Sequence, residues 1–171
     1  MDSAIDNLQI NAFNNRKIVI STKQGTPFRI QFPRMYMPFG VSGFTPEVGQ
    51  TKYNIDFAIK GYDEDESYMK KFYDSTRKIE DMIKQSPDRE PKFRVKVDTT
   101  MDDQIKANVF DADKNPLHDD ATNGLYARNS GHAIAELNSV YFLNRKFGCT
   151  WKLHQLIVYE PQNLKGFQFK L

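Results

Sequence analysis

YFLNRKFGCTWKLHQ, running from Tyr141 to Gln155, alternates apolar and polar residues on both sides of a Gly-containing break. A period of two is the strand signature, and two such runs about a break form a β-hairpin. Working outward, Ala133 to Leu143 and Thr150 to Glu160 extend the hairpin into two long strands. The same stretch carries Tyr141, Phe142, Arg145, Lys146, Phe147, Trp151, Lys152 and His154, and no carboxylate. Aromatic rings stack on unpaired bases and cations track phosphates, so this pairing suits single-stranded nucleic acid. Taken alone, the residues fit an ordinary hairpin with a mixed surface equally well.

The rest of the chain tips that balance. Net charge is only +2, from 24 Lys and Arg against 22 Asp and Glu, but the charges are segregated. Asn7 to Pro46 holds no acid, yet contains Arg16, Lys17, Lys23, Arg29 and Arg34. Ala121 to Tyr159 holds one, Glu136, against Arg128, Arg145, Lys146 and Lys152. Acids gather instead at Asp63 to Glu66 and from Asp98 to Asp120. Such segregation yields a basic face on a nearly neutral molecule, and local field rather than net charge steers a polyanion.

With 171 residues, 39% of them hydrophobic, the chain fits one domain with a real core. No apolar run approaches the roughly 20 residues of a membrane helix. MDSAIDNLQINAF lacks the basic start and apolar stretch of a signal peptide. A single cysteine, Cys149, excludes an internal disulfide framework and a Cys-rich zinc site. The expectation is an intracellular protein.

Residues 1–14 are polar, Asn-rich and aperiodic, which predicts a mobile lead-in before one domain over 15–171. Lys17 to Ser21 and Pro27 to Phe32 read as strands. Pro33 to Gly49 is dense in Pro and Gly, and reads as an irregular loop exposing Met35, Tyr36, Phe39 and Phe44. Tyr53, Ile55, Phe57 and Ile59 alternate as a strand. Asp63 and Glu66 form a capping box before a helix over about 64–85, with its apolar stripe at Met69, Phe72, Tyr73, Thr76 and Ile79. Phe93, Val95 and Val97 then alternate with Lys92, Arg94 and Lys96, placing three cations on one strand face. Ile105 to Val109 continues the β series and DADKNP is a turn. The content is α+β and the architecture mainly β: six or seven short strands, closed or partly closed into a small barrel, with one capping amphipathic helix inserted between strands.

Catalytic signatures are absent. There is no GxxxxGK[ST], no GxGxxG after a strand, no HExxH and no GxSxG. Asp111-x-Asp113-x-Asn115 starts like a calcium loop, but Pro116 stands where Gly is needed. His118, His132 and His154 lack metal-ligand spacing, and Asp98, Asp102 and Asp103 read as a solvated acidic loop. No enzyme activity, cofactor or metal is expected.

The candidate contacts for phosphate are Arg29, Arg34, Lys92, Arg94, Lys96, Arg128, Arg145, Lys146 and Lys152. The candidate rings for bases are Tyr36, Phe39, Tyr126, Tyr141, Phe147 and Trp151. A virion or scaffold protein, using the Pro33 to Gly49 loop and the apolar tail Phe167 to Leu171 as contact surfaces, is the alternative reading.

In order, YNIDFAIKG, the capped helix, KFRVKV, VFDADKNPL, ARNSGH, AIAELNSVYF and WKLHQLIVYEP resemble the oligonucleotide-binding (OB) fold of viral single-stranded DNA-binding proteins. The likeness is to those of short-tailed phages and their relatives in large nucleocytoplasmic DNA viruses, and covers about residues 16–160. It implies an OB-like barrel whose groove binds unpaired DNA, with RNA tolerated, during DNA replication, recombination and repair. It further implies replication proteins and self-association as partners, in the host cytoplasm (a viral factory) or nucleus. The phage proteins end in an acidic tail that contacts replication partners, whereas this chain ends GFQFKL.

Overall fold

The computed structural model describes residues 8–14, 17–60, 68–80, 92–143 and 146–160. Eleven strands and one helix are formed by these residues: β1 (Leu8–Asn14), β2 (Lys17–Thr22), β3 (Arg29–Gln31), β4 (Met35–Met37), β5 (Val41–Phe44), β6 (Lys52–Ala58), α1 (Tyr68–Glu80), β7 (Lys92–Val97), β8 (Asn108–Phe110), β9 (Pro116–Leu117), β10 (Asn129–Leu143) and β11 (Lys146–Tyr159). The protein is mostly β. Among the described residues no helix is long and apolar enough to cross a membrane.

Five strands close on themselves. β10 pairs with β4, β4 with β6, β6 with β7, β7 in parallel with β11, and β11 back with β10. Of the remaining strands, β2 and β3 pair with β10, β5 with β6 and β8 with β11, while β1 pairs with β2 and β9 with β8.

The period-two pattern of the sequence explains what the ring encloses. On β6 and β7, Tyr53 faces Val97, Ile55 faces Val95 and Phe57 faces Phe93, and all six are buried. β10 sends in small residues, Gly131, Ala133 and Ala135, opposite the larger Val158, Leu156 and Leu153 of β11. A small ring needs such alternation of volumes to fill without voids. Phe32 meets Phe57, Phe72 and Phe93 at centroid separations of 5.4, 5.1 and 4.7 Å, all edge-on. Edge-to-face geometry sets the positive ring edge against the negative face, worth about 0.5–1.5 kcal/mol per pair beyond burial. Phe72 is the buried residue of α1 in this cluster, so the apolar stripe of the helix serves the core as its spacing predicts.

Several expectations need correction. Leu8–Asn14 is not a lead-in but a strand antiparallel to β2. Pro33 to Gly49 contains two strands, with Met35, Met37 and Val41 buried and Tyr36, Phe39 and Phe44 exposed. The hairpin register runs to Leu143↔Lys146, so the expected Gly-containing break is not one: Gly148 lies within β11, opposite Tyr141, and Cys149 opposite Val140. The capping box and the ends of the expected helix lie outside the described residues, as does GFQFKL.

Candidate nucleic-acid interface

Outward positions of the ring fall into two cross-strand rows with different electrostatics. The first runs Arg29 (β3), Glu136 (β10), Lys152 (β11), Lys96 (β7) and Asn54 (β6), each the register partner of the next. Its three cations are all engaged by acids. Arg29 Nε donates to Glu136 at 3.0 Å, and Lys96 and Lys152 both reach Asp98 at 2.7 Å. Burial raises the Asp98 pKa, but hydrogen bonds from Lys152 and Lys96 outweigh it and leave the carboxyl below its ordinary value. Beside this row Arg94 grips Asp56 through both Nε and Nη2, at 2.7 and 2.9 Å. That fork-on-carboxylate geometry favours the charged forms and raises the Arg94 pKa further.

The second row runs Lys92 (β7), Ala58 (β6), Tyr36 (β4), Ser130 (β10) and Tyr159 (β11), again each partner to the next. It contains no carboxylate. Cations sit on its rings: Lys60 Nζ lies 5.4 Å from the Tyr36 centroid, and Lys92 Nζ 4.6 Å from that of Phe39. Arg34 Cζ lies 4.2 Å over the Tyr159 ring while its Nε donates to Ser130 Oγ at 2.8 Å. Among the described residues, no acid pairs with Arg34 or Lys60. Tyr36 and Phe39 are 37% and 55% exposed. Ala58 lies between Lys92 and Tyr36 in this row, outward yet covered. With strands about 4.8 Å apart, five of them give a strip on the order of 19 Å long.

Phe39 is set in place by the turn that follows it. Gly40 adopts φ +60°, and a Cβ there would stand 2.0 Å from the Leu125 carbonyl oxygen. Only glycine fits both the conformation and the approach.

The structure therefore divides the sequence candidates. Arg34, Tyr36, Phe39 and Lys92 come together on the second row, and Arg128 is exposed just before β10, its N–H donating to the Met37 carbonyl. Arg29, Lys96 and Lys152 of the first row, and Arg94 beside it, are engaged by acids. Trp151 is 3% exposed and packs on Phe93 at 5.3 Å, so it is core rather than a stacking surface. Adjacent strand residues point to opposite faces, so Lys152 outward requires Trp151 inward. Tyr126 is half-buried, and its hydroxyl donates to Asp119 at 2.7 Å. Burial, with that acceptor, pushes its pKa well above the ordinary phenol value. Tyr141 is exposed, but at the far end of β10 from Ser130. Arg145 and the side chains of Lys146 and Phe147 lie outside the described residues.

Three contributors went unread in the sequence: Lys60, Ser130 and Tyr159. Strict alternation from Trp151 assigns Tyr159 to the inside. A register shift between Ile134 and Ala135, opposite Leu153 to Gln155, reverses the parity and turns Tyr159 outward. No local signal marks such a bulge. Among the described residues, no three His, Cys, Asp or Glu gather as a metal site.

No family model and no curated protein sequence matches this chain. Among solved structures, the single-stranded DNA-binding protein of bacteriophage Enc34 in complex with ssDNA superposes with a TM-score of 0.52. That match has 12% identity and covers 94% of this chain and 99% of the phage chain. A further structure of the phage protein gives a TM-score of 0.49 at 12% identity, over 93% of each chain. The likeness to the DNA complex is one of fold.

Proposed function

We propose that this chain is a non-enzymatic, sequence-tolerant single-stranded DNA-binding protein whose closed ring is an OB-like barrel. The observation that carries the reading is the acid-free row Lys92–Ala58–Tyr36–Ser130–Tyr159, dressed with Arg34, Lys60 and Phe39. Cations on this strip attract the backbone, and Tyr36 and Phe39 offer faces to bases. Every base has such a face, so the contact tolerates sequence and accepts RNA chemistry as well. The shared fold with a phage protein solved on ssDNA supports the same reading. Its setting, on this proposal, is viral DNA replication, recombination and repair inside the host cell, with replication proteins and further copies of the chain as partners.

The test is an anisotropy titration of labelled oligothymidylate at 50 and 200 mM salt. Binding that weakens as salt rises is expected, because phosphate contacts release counterions. No binding at 50 mM, or equal affinity at both, refutes the proposal.

A second reading draws on another observation. Phe44, Val48 and Met101 are all strongly exposed, at 66, 90 and 88%. Met101 shares a shallow cavity of about 230 Å³ with Gly49, Gln50 and Thr51, which follow Val48. A virion or scaffold protein would use such side chains against protein. Salt-insensitive self-association without nucleic-acid affinity selects that reading.

A further inference from the structure

We infer that the outer face of the Arg34 guanidinium is itself a nucleobase platform, so that Arg34 contributes a stacking surface as well as a charge. The inference rests on the proposed reading of the strip. Two anchors hold the group: Cζ lies 4.2 Å over the Tyr159 ring, and Nε donates to Ser130 Oγ at 2.8 Å. Ser130 and Tyr159 are directly opposed across β10 and β11, so backbone register fixes both anchors together. Tyr159 is steadied in turn by His132, edge-on at 5.6 Å, whose Nδ1 lies 3.2 Å from the Phe32 carbonyl oxygen.

A guanidinium is planar, delocalised and weakly hydrated, and it stacks on aromatic faces. Here one face lies on Tyr159 and Nε is taken. The exposed remainder is the second flat face and the two Nη groups. A base laid there extends the pile to ring, guanidinium and base, gaining both dispersion and cation–π attraction. Among the described residues no acid competes for Arg34, whereas Arg29 and Arg94 are held by Glu136 and Asp56. Lysine keeps the charge but has neither the plane nor the Nε–H that fixes the plane's orientation.

The experiment compares wild type and Arg34→Lys by anisotropy on two probes, oligothymidylate and an abasic deoxyribose-phosphate oligomer of equal length. The platform predicts that Arg34→Lys loses about fivefold or more on oligothymidylate, the lower end for one stack. It also predicts an unchanged salt slope and no loss on the abasic oligomer. Tyr159→Leu, which removes the support, loses a similar factor and adds little when combined with Arg34→Lys. Near-wild-type binding of oligothymidylate by Arg34→Lys, an equal loss on the abasic oligomer, or fully additive losses would overturn the platform while leaving the strip standing. A wild type that binds neither probe sinks the functional reading and the platform with it.

Discussion

Replacing Arg34 and Lys60 together by Gln removes two charges from the strip without touching the core, since both residues are exposed. For single strands, log K falls with log salt at about 0.7 per phosphate neutralised, so losing two contacts flattens the slope by about 1.4. Between 50 and 200 mM salt, a fourfold change, that makes the variant's loss of affinity about sevenfold smaller than the wild type's. The control is Asp56→Asn with Arg94→Gln. It deletes a cation from the sequence candidates, but one whose two hydrogen bonds already go to Asp56. The control should keep the wild-type slope within a few tenths. Both proteins are read by anisotropy on labelled oligothymidylate, with circular dichroism confirming that each is folded. A strip variant that retains the full slope, or a control that flattens as much, refutes the division of the surface into an acid-engaged row and a binding row.

Gly40→Ala should destabilise the fold by at least about 1–2 kcal/mol in urea melts, because the left-handed φ alone costs that much before the Leu125 carbonyl is displaced; an unchanged midpoint contradicts the turn described. Trp151→Phe should lower the melting temperature yet leave oligothymidylate affinity within about twofold, since the indole is inside; a large affinity loss with intact stability would return Trp151 to the interface. Asp98 titrates below its ordinary value in the folded protein, so its contribution is present above the unfolded pKa of about 4 and is lost as pH falls through the folded value. The stability gap between wild type and Asp98→Asn should therefore hold at pH 5–7 and shrink below about pH 4, and a gap that widens on acidification contradicts the ion pairs with Lys96 and Lys152.

The parts of this molecule that were legible in the sequence are those governed by local periodicity. Tyr53, Ile55 and Phe57, then Phe93, Val95 and Val97, show period two and form β6 and β7. Phe72 stands on the predicted helical stripe and enters the core. The 141–155 hairpin carries most of its alternation into β10 and β11. What escaped depends on distant residues. Leu8–Asn14 is the local exception: Leu8, Ile10 and Ala12 do alternate with Gln9 and Asn11, but the run is short, Phe13 breaks it, and its Asn-rich setting hid a strand that pairs with β2. The Pro- and Gly-rich stretch around Tyr36 hides two strands of three and four residues, too short for a pattern to emerge. Which cations are spent internally was also out of reach, because their acids are far along the chain: Asp56 from Arg94, Asp98 from Lys152, Glu136 from Arg29. The shift opposite Leu153 to Gln155 then concealed the outward Tyr159.

Photocrosslinking of bromodeoxyuridine-substituted single strands, with mass-spectrometric assignment of the attached residues, puts the question to the surface itself. The account predicts adducts at Tyr36 and Phe39, the rings that border Lys60 and Lys92. Adducts confined to the neighbourhood of Glu136, Lys152 and Lys96, with none on those two rings, would contradict it.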